Sequence, residues 1–312
     1  MNRKLNLILF ILLACFWSGS FIGIKIVVAV WPPLLGAAIR VAIGLICLML
    51  FIRATGKAIH LPYSLRWKVW MIGLFAQAIP FTFLFWGERL ISPGLAGIIN
   101  GSVPIWTYLF SLCFLPQLTP FSFIKASGLL IAIMGIFILF KPILVFNTHA
   151  SSLMGAAAVL IMAFSYAIGN LLNQYFLAGK IKIEFFTNIY YQHWASVIFL
   201  FCLSLLLEHW PTTLHALSLS PTAWFASLYL GVFSTAIAYL IYYHLIRTWD
   251  AVRASSVLYI IPILTLGWDK LIYGTPPLGS EIKGVIAILI GVVLIQLSNF
   301  KVKPPLLFNR KV

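Results

Sequence analysis

Gly73 to Pro104 reads GLFAQAIPFTFLFWGERLISPGLAGIINGSVP, and Gly231 to Pro262 reads GVFSTAIAYLIYYHLIRTWDAVRASSVLYIIP. The two stretches align without a gap, glycine on glycine at one end and proline on proline at the other. After a shift of two residues, Gly128 and Gly135 fall on Gly284 and Gly291. The apolar segments around each copy bring each half of the chain to five membrane-length runs. Five is odd, so the second copy crosses a bilayer in the opposite sense to the first. An inverted repeat of this kind implies alternating access, with two mirrored halves rocking about a shared central site.

Composition agrees. The chain has 312 residues, of which 62% are hydrophobic and 9% charged. A soluble protein of this size needs more polar surface to cover its core. The apolar runs are continuous, not alternating as barrel strands are, and a spanning helix needs about 20 such residues. The expected spans are Leu5–Val27, Pro32–Ile52, Trp67–Arg89, Gly94–Leu115, Phe121–Phe140, Ser152–Phe176, Ile183–Leu207, Thr222–Ile246, Val252–Tyr273 and Gly279–Ser298. The fold class expected is therefore an all-α polytopic membrane protein, with ten transmembrane helices in two inverted five-helix repeats. Residues 1–145 form the first repeat, 146–300 the second, and 301–312 a basic cytoplasmic tail. The loops are too short for a separate soluble domain. The first apolar run is too long for a secretory signal and lacks a small-residue cleavage site, so it reads as a retained helix.

The net charge of +15 would suit nucleic acid, but its distribution does not. With the N-terminus inside, cytoplasmic segments hold Arg3, Lys4, Arg53, Lys57, Arg66, Lys68, Lys125, Lys180, Lys182, Arg247, Arg253, Lys301, Lys303, Arg310 and Lys311. The other side holds Lys25, Arg89, Lys141, Lys270 and Lys283. That asymmetry follows the positive-inside rule and places both termini in the cytoplasm. No basic cluster with interleaved aromatics is present, so nucleic acid is not an expected partner. The lipid bilayer and a small-molecule substrate are, and a monomer is the expected state. Cys15, Cys47, Cys113 and Cys202 fall inside spans at no metal-like spacing. No metal and no cofactor is expected.

Membrane helices associate through close backbone approach at small residues. Gly19 with Gly23, Gly97 with Gly101, Gly128 with Gly135, and Gly284 with Gly291 supply such faces. Pro104 and Pro262 sit in equivalent helices, where a missing amide donor bends the chain. Pro80 adds a break in the third helix, where the second half has Ala238. The three prolines are hinge candidates, and the mismatch at Pro80 suggests that the halves differ in stiffness there.

Four stretches together resemble the drug/metabolite transporter superfamily, and within it the EamA-type ten-helix permeases. They are Trp17-Ser18-Gly19-Ser20-Phe21-Ile22-Gly23-Ile24-Lys25; Pro33 with Arg40; Ser92-Pro93-Gly94-Leu95-Ala96-Gly97 through Pro104; and Asp250-Ala251-Val252-Arg253-Ala254-Ser255 through Pro262. Where that family commonly closes its fourth and ninth helices with glutamate, this chain has Gln117 and Thr275. The resemblance implies transport across a bacterial inner membrane, often export, of amino acids, other small metabolites or drugs.

A central site should then be lined by the third, fourth, eighth and ninth helices with the first and sixth. Gln77, Phe81, Leu84 and Glu88 share a face by helical spacing, and their repeat partners are Thr235, Tyr239, Tyr242 and Ile246. The substrate-binding candidates are Trp17, Gln77, Phe81, Asn100, Ser102, Trp106, Tyr166, Asn170, Tyr239, Tyr242, Ser256 and Tyr259. Such aromatics can hold an ammonium by cation–π contact, and amides in lipid need partners; each residue alone also fits plain interhelical packing. Arg40, His193 and Asp269 are gating or coupling candidates, since intramembrane charge is costly. Each has a second reading. The resemblance favours a structural or gating Arg40, His193 suits a buried hydrogen-bonded histidine, and Asp269 suits a polar contact. Glu88 beside Arg89 reads as interfacial, and Lys25 as snorkelling to the membrane surface.

No Walker loop is present, so transport would draw on a substrate or ion gradient. Two other classes compete. An intramembrane enzyme would need a catalytic constellation, but there is no His-Glu-x-x-His motif, no paired membrane aspartates, and no histidine base evident for Ser102. No catalytic residue is therefore named. A passive channel or a receptor would need a continuous polar stripe, a filter or a seven-span count.

Overall fold

The computed structural model describes residues 3–140, 150–178, 183–208, 220–264, 267 and 279–298. Ten helices follow in order among the described residues. They are α1 (Lys4–Val30), α2 (Pro33–Thr55), α3 (Tyr63–Leu90), α4 (Pro93–Phe114), α5 (Phe123–Phe140), α6 (Ala150–Ala178), α7 (Phe185–Leu207), α8 (Pro221–Thr248), α9 (Ala251–Leu264) and α10 (Gly279–Leu297). Seven are long and apolar enough to cross a bilayer; α5, α9 and α10 are shorter apolar helices within the described residues. The chain is a helical multi-pass membrane protein. Its surface is inverted relative to a soluble fold. Ile46, Leu50, Phe114, Phe137 and Ile286 are exposed, while Gln77, Asn173, Asn188, Gln192 and His193 are wholly buried.

Local chemistry sets the helix ends. Ser92 accepts from the Leu95 amide with Pro93 in the first turn of α4, and Ser220 with Pro221 does the same for α8. Glu184 caps α7 and Asp250 caps α9. The α2 start lacks a local cap; instead the Glu208 carboxylate beyond α7 accepts from the Leu34 and Leu35 amides at 2.8 and 3.0 Å. Gly56 ends α2 at φ 63, the left-handed geometry that a Cβ disfavours.

The helix pairings survive exchange of the two halves. α5 packs on α10, α2 on α7 and α4 on α9; α3 packs on α6 as α8 does on α1; α3 packs on α7 as α8 does on α2. At the α5–α10 seam, a Cβ on Gly128 would lie 2.8 Å from the Gly291 carbonyl, and one on Gly135 would lie 2.9 Å from the Gly284 carbonyl. Residue order rises along one helix as it falls along the other, so these repeat-equivalent helices run antiparallel. The same small-residue contact serves Gly19 and Gly23, which abut Tyr229 and Leu230 of α8. Gly97 departs from expectation: it is buried, yet a Cβ there would meet nothing within 4 Å.

Both copies break at equivalent places. α3 contains a π-helical turn at Leu74–Ala78, and α8 contains one at Val232–Ile237. The asymmetry expected from Pro80 is therefore not one of backbone form, because Ala238 follows a π turn as Pro80 does. α4 is interrupted at Gly101–Ser102, just before Pro104, and α9 passes through a 3₁₀ turn at Ser256–Tyr259, just before Pro262. A proline cannot donate to the carbonyl one turn earlier, so each break lies on its N-terminal side.

Candidate functional site

The π turns leave carbonyls without their usual amide donors, and these face the centre of the bundle. In α3, the Ala76 carbonyl accepts from the Tyr239 hydroxyl at 3.2 Å, and the Phe75 carbonyl accepts from Ser165 at 3.0 Å. Pro80 has no amide hydrogen for either. In α8, the Ser234 carbonyl, the repeat partner of Ala76, accepts from Trp17 Nε1 at 3.1 Å and Arg40 Nη2 at 3.1 Å. Three residues on from each π-turn start the pairing recurs: Gln77 Nε2 lies 3.2 Å from His193 Nδ1, and Arg40 Nε donates to Thr235 Oγ1 at 2.9 Å. Gln77 and Thr235 are repeat partners, so Arg40 on α2 and His193 on α7 occupy corresponding places.

Between the two turns lies a cavity of about 50 Å³. It is lined by Trp17, Ser20 and Phe21 of α1, Arg40 of α2, Pro80, Phe81 and Leu84 of α3, and Asn100 of α4. Met162 and Tyr166 of α6, Tyr239 of α8, and Leu258 and Ile261 of α9 complete it. The volume suits a few water molecules. An aromatic cage closes one side. Trp17 has its ring centroid 5.0 Å from Tyr242, 6.2 Å from Tyr239 and 6.4 Å from Tyr166. Tyr166 donates to the Tyr239 hydroxyl at 3.2 Å. Arg40 lies over the Phe81 ring at 4.3 Å, and its Nη1 is buried without a partner among the described residues.

Of the sequence candidates, Trp17, Phe81, Asn100, Tyr166, Tyr239, Arg40 and Pro80 line the cavity. Tyr242 stacks behind it and donates to Asn170, which donates to Thr107. Gln77 and His193 lie in the polar layer beyond Tyr239, where Tyr243 donates to Gln192 and Gln192 to Asn173. The structure does not bring Ser102, Trp106, Ser256 or Tyr259 to the cavity wall. Trp106 donates to Ser102 and packs on Phe164 at 4.2 Å. Ser256 accepts from Gln296, and the Tyr259 hydroxyl is buried without a partner among the described residues. Pro104 and Pro262 are buried next to their helix breaks. Asp269 lies outside the described residues.

Ser20, Met162, Leu258 and Ile261 line the cavity without having been singled out. Ser20 was within reach, three residues from Trp17 on the same helix face. Glu88 does not face outward from the bundle: it is wholly buried, and neither carboxylate oxygen has a partner among the described residues. Lys25 Nζ donates to the carbonyls of Glu88 and Ile91 at 2.7 and 3.0 Å, joining α1 to the end of α3. A larger void of about 470 Å³ lies between α4 and α6, around Phe110, Phe114, Leu171 and Tyr175. Phe114 is 72% exposed there, and the void belongs to the lipid-facing surface.

The EamA-like transporter family matches this chain over residues 4–141 and 153–297. An uncharacterized transporter of Archaeoglobus fulgidus is 26% identical over 282 residues, covering 90% of this chain and 94% of that protein. A probable amino-acid metabolite efflux pump of Escherichia coli is 24% identical over 296 residues, covering 94% of this chain and 95% of that protein. One crystal structure superimposes with a TM-score of 0.78 at 20% identity, over 95% of this chain and 99% of that one, a likeness of fold alone.

Proposed function

The chain belongs to the EamA-like transporter family, and on that premise we propose that it is a secondary-active transporter of amino acids or related small metabolites, working by alternating access. The observation that carries this is the position of the cavity. It lies where the two antiparallel copies cross, walled by seven helices, six of which form the repeat-equivalent pairs α1 with α6, α3 with α8 and α4 with α9. A polar network lies on each side of it. On the side where α1 begins, Lys125 pairs with Asp250 at 3.1 Å. There Gln174 donates to Thr119 and accepts from the Ala251 amide, and Asn6 donates to Thr248. On the other side stands the Lys25 clamp on α3. Transport requires these closures to open in turn.

The cavity is too small for an amino acid as it stands. A substrate would enter as the π turns and proline breaks let α3, α4, α8 and α9 move, the expected use of backbone that is irregular only where it lines a cavity. The basic asymmetry of the loops supports cytoplasmic termini in a bacterial inner membrane. The efflux-pump relative of Escherichia coli supports export. The missing Walker loop leaves a substrate or ion gradient as the energy source.

Reconstitution in proteoliposomes tests the proposal. Counterflow of a labelled amino acid or metabolite should saturate; a linear, unsaturable flux at channel-like rates would end it. Tyr239→Ala and Asn100→Ala should lower transport while leaving expression intact. Normal transport by both would mean that the substrate passes elsewhere.

A further inference from the structure

We propose that Arg40 receives the carboxylate of the substrate, and that the cavity prefers a monoanionic carboxylate with an apolar or aromatic body to a zwitterion, and either to an amine. This rests on the transport function above and narrows its substrate class.

Arg40 is 2% exposed and sits in the span of α2, yet its described partners are all neutral. They are the Thr235 hydroxyl, the Ser234 carbonyl and the face of Phe81. Among the described residues the only ion pair is Lys125 with Asp250, near the chain-terminal side of the bundle. Nη1 remains buried without an acceptor among the described residues. A guanidinium stays charged in a protein, and an unpaired charge away from water is expensive. Dipoles and a ring face lower that cost but leave the charge uncompensated. Lys25 and Glu88 are the other charged groups that interact here, and the three together are net positive even with Glu88 ionised.

The remaining polar groups of the lining divide in the same way. The tips of Trp17, Tyr166 and Tyr239 are committed to Ser234, to each other and to Ala76. The Ser20 hydroxyl and the Asn100 amide have no hydrogen-bond partner among the described residues. Among the described residues no acidic side chain lines the cavity. An incoming ammonium would find ring faces and a nearby like charge. A carboxylate would find the free corner of a guanidinium, a charge-assisted donor of matching planar geometry, with Ser20 and Asn100 as further donors. Trp17, Phe21 and Phe81 then suit an apolar body.

The test uses three compounds built on one phenyl-ethyl skeleton: 3-phenylpropionate, phenylalanine and phenethylamine. Binding to the purified wild-type protein is read by thermal shift, and transport by competition in proteoliposome counterflow. The expected order is 3-phenylpropionate, then phenylalanine, then phenethylamine, with about ten- to hundredfold between first and last, the range for a hydrogen bond to a charged group. Phenethylamine binding as well as 3-phenylpropionate overturns the proposal, as does phenylalanine binding more tightly than 3-phenylpropionate or binding by none of the three. Saturable counterflow of any amino acid or amine would then still uphold the transport function. Arg40→Lys keeps the charge but loses the planar fork. It should weaken 3-phenylpropionate about tenfold while leaving phenethylamine unchanged. An equal loss for all three compounds means a purely structural Arg40 and overturns the assignment.

Discussion

The π turn of α3 and the π turn of α8 are one backbone device carrying different side chains. At Leu74–Ala78 the exposed carbonyls are met by hydroxyls, Ser165 on Phe75 and Tyr239 on Ala76, and Gln77 faces His193. At Val232–Ile237 the Ala238 amide still reaches Phe233, and the Ser234 carbonyl takes an indole and a guanidinium. Duplication thus preserved the irregular backbone while the chemistry of the two turns diverged. The permanent cation went to one copy only. A binding site between inverted copies can be pseudo-symmetric in path and polar in charge, which a directional ligand requires.

The largest expected effect breaks that contrast directly. Arg40→Gln should lower transport about a hundredfold, whereas His193→Gln, at the corresponding place, should lower it no more than about fivefold, the worth of one neutral hydrogen bond. Counterflow rates of the two variants decide it, and equal losses would mean that the turns are functionally equivalent. The seam between the copies comes next. A Cβ on Gly291 would lie 2.6 Å from the Ala132 amide nitrogen and the Gly128 carbonyl. Gly291→Ala should therefore cost about 1–3 kcal/mol by overpacking, while Gly97→Ala should change melting in detergent little. Giving the second turn the first turn's proline sharpens the comparison further. Ala238→Pro removes the donor to Phe233, for which no Ser165-like hydroxyl is in place among the described residues, at about 1–3 kcal/mol for an unsatisfied carbonyl. The smallest effect is Tyr239→Phe, which removes the hydroxyl that donates to Ala76 and accepts from Tyr166; two hydrogen bonds between membrane helices should shift stability by about 1 kcal/mol.

How much of this was legible in the chain varies with the range of the interaction. The helices follow from hydrophobic run length, because a bilayer forces every buried backbone group into a helix. The inverted relation follows from the odd number of runs in each copy, and the crossed Gly128–Gly291 and Gly135–Gly284 contacts display it. The aromatic wall of Trp17, Phe81, Tyr166 and Tyr239 follows from helix faces and repeat alignment. Ser102 and Trp106 share α4 with Asn100, and Ser256 and Tyr259 share α9 with Leu258 and Ile261, but none of the four lines the cavity. Their helices unwind just before Pro104 and Pro262, and a regular 3.6-residue projection fails across such a break. Glu88 shows the same limit from another side. Next to Arg89 and near a helix end it looks like a surface residue, but α6 packs Gly155 and Val159 against Gly87 and buries that end of α3.

The sequence alone determined that the chain is a bundle of duplicated membrane spans with opposite insertion, because length, apolarity and parity are local or countable properties. It also set where the helices would weaken, since proline lacks a donor wherever it is placed. Tertiary structure decided which polar groups are already satisfied and which remain free. Tyr239 is answered by Ala76, Arg40 keeps an open corner, and Asn100 and Ser20 face the cavity, all through partners on helices far apart in the chain. Hydrogen-bond satisfaction depends on three-dimensional neighbours, and no spacing along one strand of sequence encodes them.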